Sequence, residues 1–263
     1  MQEQQIKDKI KERYGRIALT GAETCCSTTI EFKSNAKSGS GCCSPTESAT
    51  VIGYENKELK SIPEASVLGA GCGAPLHHAD AKEGETVVDL GSGAGIDVFL
   101  SANKVGQTGK VIGIDMTDEM LEKARRNAKE NGYTNVEFRK GDIEKRIPVE
   151  NNSVDLVVSN CVINLTTDKV VTFKEVYRIL KQGQGRMVIS DLVTDKEIHE
   201  NSVDSDKWCS CIDGALTKEN YLESIRKAGF QNPEILDEKL YTREESDNND
   251  RRISSIIVKA VKN

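Results

Sequence analysis

Three cysteines carry the strongest chemical signal in this chain. They are Cys72 in Leu68-Gly-Ala-Gly-Cys-Gly-Ala-Pro75, Cys161 in Ser159-Asn-Cys-Val-Ile-Asn-Leu165, and Cys211 in Trp208-Cys-Ser-Cys-Ile-Asp-Gly214. Thiolates are soft donors, and a site built from them selects a thiophilic ion over the hard cations that prefer oxygen. A cysteine taken alone is most often a small buried hydrophobe. The second signal is Val87-Val-Asp-Leu-Gly-Ser-Gly-Ala-Gly95, a glycine loop that follows an apolar strand and opens a helix. Such a loop lets backbone approach a ligand closely and aims amide N–H groups at it. A nucleotide-type pocket facing a thiol site points to chemistry performed on the bound ion itself.

The glycine spacing is G-x-G-x-G at Gly91, Gly93 and Gly95, with Ile96 where a dinucleotide fingerprint places its third glycine. Acidic residues recur at successive strand ends: Asp89 just before the loop, Asp115 at the end of the second strand, and Asp142 after the third. Asp115 stands where a carboxylate accepts ribose hydroxyl protons. Asp142 is placed to accept from an exocyclic adenine amine, with Ile143 against the ring. One acid at a strand end is weak evidence; three at successive ends are much stronger.

The elements that must position these groups follow from periodicity. Residues 1–15 read as a charged helix, with Ile6, Ile10 and Tyr14 at helical spacing. Residues 21–50, rich in Gly, Ser, Thr and Asn and containing Cys25-Cys26 and Cys42-Cys43, read as a loop. A short helix is expected near 55–60. Strands are expected at 86–90, 110–115, 136–139, 154–159 and 186–191. Helices are expected at 96–104, 118–131 (N-capped by Thr117) and 167–180. This alternation implies right-handed crossovers and a parallel sheet. A helix at 218–228, closed by Gly229, and strands at 234–240 and 253–261 complete the chain as a hairpin-like antiparallel edge. Residues 241–252 are expected as a polar loop between those strands.

Composition bounds the function. The chain has 263 residues, 37% hydrophobic and 30% charged, with a net charge of −6. An acidic chain argues against a nucleic-acid partner. No apolar run approaches the ~20 residues of a membrane span, and the polar stretch at 1–10 lacks the apolar core of a leader. A cytoplasmic location is therefore expected, where eight cysteines are not a disulfide framework.

The strings Asp89-Leu-Gly-Ser-Gly-Ala-Gly95, Gly113-Ile-Asp-Met-Thr117 and Gly141-Asp-Ile-Glu144 resemble the S-adenosylmethionine-dependent methyltransferases of the seven-stranded class. Ser159-Asn-Cys-Val-Ile-Asn-Leu165, Trp208-Cys-Ser-Cys-Ile-Asp-Gly214 and Gly71-Cys-Gly-Ala-Pro75 are similar to arsenite methyltransferases. The resemblance runs from about residue 10 to 230. It implies an α/β Rossmann-like fold with a mostly parallel seven-stranded sheet, a cysteine-bearing N-terminal segment and a small C-terminal cap. The implied division is 1–80 for the N-terminal segment, 81–193 for the cofactor-binding core and 194–263 for the C-terminal region.

By the same resemblance, Asp89, Gly91, Gly93, Asp115 and Met116 hold S-adenosylmethionine, and Asp142, Ile143 and Glu144 flank its base. Asn160 lies close to the transferable methyl. Cys72, Cys161 and Cys211 bind trivalent arsenic, and one of Cys25, Cys26, Cys42 and Cys43 serves as a relay thiol. The implied substrates are arsenite and methylated trivalent arsenicals, with a thiol reductant as co-substrate and a monomer as the default assembly.

Two departures stand out. A Lys-Pro-Gly-Gly turn of the family is Lys181-Gln-Gly-Gln-Gly185 here, and Cys209 is an extra thiol beside Cys211. Two other readings remain: methylation of a small organic acceptor with structural cysteines, and a zinc site or metalloid sensor without catalysis. The wide spacing of the three leading cysteines is poor for a zinc knuckle. His77 and His78 read equally as arsenic-site or solvated loop residues. Trp208 reads as packing the C-terminal cap.

Overall fold

A seven-stranded sheet organises the protein, as seen in a computed structural model describing residues 3–21, 44–197, 204–244 and 251–263. The strands are β1 (Thr86–Leu90), β2 (Lys110–Asp115), β3 (Val136–Lys140), β4 (Leu156–Asn160), β5 (Arg186–Thr194), β6 (Glu234–Glu244) and β7 (Arg251–Val261). Their order is β3-β2-β1-β4-β5-β7-β6, and the first five are parallel. Strand β7 pairs antiparallel with both β5 and β6. The order reverses beside β1, where β2 lies on one side and β4 on the other. Crevices at such a switch point are where open α/β sheets bind ligands.

The helices are α1 (Glu3–Thr20), α2 (Pro45–Val51), α3 (Asn56–Leu59), α4 (Ile96–Val105), α5 (Asp118–Glu130), α6 (Lys169–Ile179), α7 (Ser205–Cys209) and α8 (Lys218–Lys227). Central strands are apolar on both faces because helices cover both: Val87, Val88 and Leu90 of β1 are fully buried. Helix α5 shows how patterning becomes packing. Met120, Leu121, Ala124 and Ala128 bury one stripe. Burying Met120 and Leu121 contributes roughly 1.5–3 kcal/mol each.

The sequence expectations need three corrections. Residues 45–51, expected within a loop, form α2. Ser44 accepts from the Glu47 amide, the Glu47 side chain accepts from the Ser44 amide, and Pro45 starts the helix. Helix α1 continues to Thr20. The polar stretch 241–252 is not all loop: β6 runs to Glu244 and β7 begins at Arg251. Their backbones pair in an antiparallel ladder whose register sets Thr242 opposite Ile253. Thr117 does occupy the N-cap of α5, but its side chain makes no capping bond. No helix among the described residues is long and apolar enough to cross a membrane.

Candidate functional site

The glycine loop between β1 and α4 is held by its own backbone. The amides of Gly91 and Ser92 donate to the Ile114 carbonyl at 2.7 and 3.0 Å, tying the loop to β2. Gly91 has φ 68°, and a Cβ there would run into the Val162 side chain. Only glycine satisfies both constraints. Gly95 does a different job. It caps α4 with φ 101°, and a Cβ there would press on Phe99 and Phe138. It therefore lets helix and sheet approach, the role a dinucleotide fingerprint assigns to its third glycine.

A cavity of about 580 Å³ opens over this loop, roofed by α1. Every cofactor position named from the sequence lines it except Gly95. Asp115 lines it and is fixed by two backbone amides. One carboxylate oxygen accepts from the Gly93 amide at 2.9 Å and the other from the Thr117 amide at 2.8 Å. Burial raises the Asp115 pKa, and the Thr117 and Gly93 amides, the Thr117 hydroxyl and the Met116 amide oppose that rise.

Asp142 and Glu144 are tied down differently. Lys7 of α1, almost wholly buried, reaches Asp142 at 2.9 Å and Glu144 at 3.0 Å. The other Glu144 oxygen accepts from the amides of Thr167 and Asp168 and from the Thr167 hydroxyl. Glu144 thus anchors helix α1 and the entry to α6. Lys7 was not among the sequence candidates. Its partner lies 135 residues away, and the helical pattern alone marks it as one more charged face residue.

Asp89 and Asp97 are buried on the same wall. Burial, then the nearby Asp97 and Asp115 charges, push Asp89 well above the usual carboxylate range. Burial raises Asp97 to about 6, against the opposing bonds from Tyr54 and Asn160. The Tyr54 hydroxyl reaches both Asp97 oxygens, at 2.9 and 2.8 Å. Two buried carboxylates beside a mostly apolar cavity suit a ligand bearing cations. Together with the side-chain-free glycine loop and the fixed Asp115, they fit S-adenosylmethionine, with its ammonium and sulfonium charges and its ribose. The volume lies within the usual 300–1,000 Å³ range for such ligands.

At the far end of the cavity the thiols converge. Cys72 is buried just outside the lining; its amide donates to the Asn160 Oδ1 at 3.0 Å, and its Sγ lies 3.4 Å from the Ser190 hydroxyl. Cys161 and Cys211 line the cavity. Both have left-handed backbones, φ 60° and 65°. Such strain in a non-glycine residue persists only where surrounding structure fixes it, and it clusters at functional sites.

Two hydrogen bonds fix the turns at Cys161 and Cys211. The Cys161 amide donates to the Ser190 carbonyl at 2.8 Å, and the Cys211 Sγ donates to the Cys161 carbonyl at 3.0 Å. Gly214 lets the Cys211 arm lie against the Asn164 backbone, which a Cβ would strike. Contacts with the Cys211 and Cys72 thiols, then burial, push the Cys161 thiol pKa well up. Cys211 is raised as well: its bond to Cys161 lowers it, but burial and the Asp191 and Cys72 charges outweigh that.

Asp191, absent from the sequence candidates, joins this cluster. Ligand atoms of Cys72, Cys161 and Asp191 lie within 4.8 Å of one another, and Cys211 is not part of that group. Burial raises Asp191 to about 7 against the pull of Lys169, itself lowered to about 8 by burial. Of the remaining candidates among the described residues, Cys209 also lines the cavity and the others fall elsewhere. His77 is exposed and meets Glu58 at 2.9 Å, away from the cavity. The Trp208 indole N–H donates to the Leu165 carbonyl at 3.0 Å, and the ring packs against the apolar cluster that includes Leu165 and Ile212. Cys209 is buried, and its carbonyl accepts from Tyr14 at 3.3 Å. Cys25, Cys26, Cys42 and Cys43 lie outside the described residues, as does His199.

A doubly wound sheet with this strand order and a glycine-loop pocket for a cationic ribonucleoside defines a methyltransferase. Residues 81–229 match the family model described as a methyltransferase domain. The chain is 40% identical over 236 residues to the arsenite methyltransferase of Halobacterium salinarum, covering 88% of this chain and 59% of that protein. It is 31% identical to the arsenite methyltransferase of Rattus norvegicus, covering 90% of this chain and 62% of that one. Among solved structures it is similar to an arsenic(III) S-adenosylmethionine methyltransferase from Chlamydomonas reinhardtii. That match has 32% identity and a TM-score of 0.66, over 81% of this chain and 72% of the other. The chain belongs to the arsenite methyltransferase family. It spans about three fifths of the length of these curated relatives.

Proposed function

We propose that this protein transfers the methyl group of S-adenosylmethionine to trivalent arsenic held by Cys72, Cys161 and Cys211. The observation that carries the reading is that cysteines from three distant loops gather beside the cofactor cavity, Cys161 and Cys211 in its lining and Cys72 buried just outside it. The Cys211 Sγ donates to the Cys161 carbonyl at 3.0 Å, and the Cys72 and Cys161 sulfurs lie within 4.8 Å of each other. When bound, S-adenosylmethionine supplies an electrophilic methyl group.

The chain's own residues do the rest. Gly91, Gly93 and Asp115 receive the cofactor, and Asp89 and Asp97 supply negative charge beside its cationic part. The three thiols take arsenous acid by exchange. Each As–O bond is replaced by As–S, and each thiol proton leaves with a hydroxyl as water. Arsenic then carries three sulfurs and a lone pair, so the nucleophile needs no general base. What the protein contributes is placement, which turns an encounter into a near-attack geometry. Helix α1 covers the cavity with the side chains of Ile10, Tyr14 and Ile17.

Several finer features belong to the same reading. Residues 1–80 form the cysteine-bearing N-terminal segment, 81–193 the cofactor core and 194–263 the region carrying Cys211. One of Cys25, Cys26, Cys42 and Cys43 relays thiols between rounds. A thiol reductant restores the site, methylated trivalent arsenicals are also accepted, and the protein works as a cytoplasmic monomer without nucleic acid or membrane partners.

The test is incubation with arsenite and methyl-labelled S-adenosylmethionine. Label appears in methylated arsenic with the native chain and disappears with Cys161→Ser while cofactor binding persists. Label in an organic acceptor, with none in arsenic, overturns the reading.

A further inference from the structure

The thiol wall contains an oxygen donor that the methylation reading does not use. Asp191 sits on β5, fully buried. Its carboxylate accepts from the Asn164 amide at 3.0 Å, from its neighbour Leu192 at 3.0 Å and from the Tyr221 hydroxyl at 3.2 Å. A carboxylate offers about four lone-pair directions, so one remains. With the Cys72 and Cys161 sulfurs it forms a three-donor group drawn from β5 and two separate loops, all within 4.8 Å. Around a tetrahedral zinc ion, with Zn–S near 2.3 Å and Zn–O near 2.0–2.2 Å, donor-to-donor edges measure roughly 3.5–3.8 Å. Closing the group onto an ion requires movement of only about an ångström.

We propose that Cys72, Cys161 and Asp191 form a second binding mode of this pocket, an S2O site for a thiophilic divalent cation such as Zn²⁺ or Cd²⁺ that excludes arsenite. The mode rests on the same wall as the methylation reading but uses a different third donor. Trivalent arsenic is soft and takes a third sulfur, Cys211. A borderline divalent ion accepts a mixed sulfur and oxygen set. The Cys211 Sγ is meanwhile held on the Cys161 carbonyl at 3.0 Å and stays out of the group. Each thiol releases its proton to solvent as the cation binds. The Lys169 ammonium, buried nearby, offsets the excess negative charge of two thiolates and a carboxylate.

The two modes predict a double dissociation. It is read by titrating Zn²⁺ and, separately, arsenite into full-length protein carrying Cys25→Ser, Cys26→Ser, Cys42→Ser and Cys43→Ser, which removes competing thiols. Asp191→Asn should weaken zinc by about 100-fold or more, beyond the 10–100-fold cost of losing an outer partner, and leave arsenite affinity within about three-fold. Cys211→Ser should do the reverse. Cys161→Ser should abolish both.

Should Asp191→Asn fail to fold, X-ray absorption at the zinc edge of the otherwise native chain decides: two sulfurs with at least one oxygen are expected. An all-sulfur shell, or zinc affinity unchanged by Asp191→Asn, or zinc lost with Cys211→Ser, overturns the proposal. Zinc binding that follows this pattern alongside absent arsenite binding would leave the cation site standing and sink the methylation reading instead.

Discussion

The Asn160 side chain accepts the Cys72 amide proton at 3.0 Å and donates to the Gly73 carbonyl at 2.7 Å. Its amide also donates to Tyr54 at 2.8 Å, and Tyr54 binds Asp97 on the cofactor wall. One side chain at the end of β4 thus ties the first thiol loop to the carboxylates of the cofactor pocket. Losing it frees that loop and takes from the buried Tyr54 hydroxyl the donor it accepts from, leaving its bonds to Asp97.

Asn160→Ala is therefore expected to impair both ligands. Removing three hydrogen bonds at about 0.5–1.5 kcal/mol each, with desolvated partners left behind, destabilises the fold by roughly 2–4 kcal/mol. Calorimetric titrations should show S-adenosylmethionine and arsenite affinities falling in parallel. A loss of only one would mean the two sites are not joined through this residue.

Lys7 provides a second link, between α1 and the rim that receives the base. Its partner Asp142 remains partly exposed, so the pair is worth less than a fully buried one. Lys7→Met should lower stability by about 1–2 kcal/mol and weaken cofactor binding several-fold by loosening the roof. Thermal melts with and without S-adenosylmethionine check both. An unchanged cofactor shift would detach α1 from binding.

These two links bear on what the sequence could reveal. The bounds of β1 and β2 follow directly from their apolar runs, because strands buried on both faces leave an unbroken pattern. The glycine loop and three cysteines were legible as residue types at fixed places in that pattern. Helix α2 was hidden by a surrounding composition of Gly, Ser and Thr, although Ser44-Pro45-Thr46-Glu47 carries a capping-box signature. Lys7 and Asp191 were invisible for a different reason. Each looks ordinary in its own element, and each acquires its role only from partners that folding brings from far along the chain.

Backbone strain at the central thiol gives a third prediction. Cys161 has φ 60°, a conformation costing an L-residue roughly 1–2 kcal/mol and glycine almost nothing. Cys161→Ala and Cys161→Gly should both be inactive on arsenite. Denaturant titration should find the glycine variant more stable than alanine by about 1 kcal/mol, opposite to the usual order. The reverse order would mean the left-handed turn is absent in solution.

The last prediction concerns pH and Asp97. Its ordinary value is 3.8, and burial raises it to about 6 in the folded protein. The folded state therefore holds a proton that the unfolded state has lost between those values. The stabilising contribution of the neutral carboxyl is complete below about pH 4 and is lost as pH rises through about 6. Asp97→Asn keeps an acceptor for the Tyr54 hydroxyl but cannot ionise, so its stability should not fall across that window. Melting temperatures of the two proteins, measured without cofactor from pH 4 to 7, should diverge in favour of the variant as pH rises. S-adenosylmethionine should close the gap, because its cations favour the ionised carboxylate that burial disfavours. Parallel curves would show that Asp97 ionises as it would in water, and the wall would then lack the electrostatic demand for a cationic ligand.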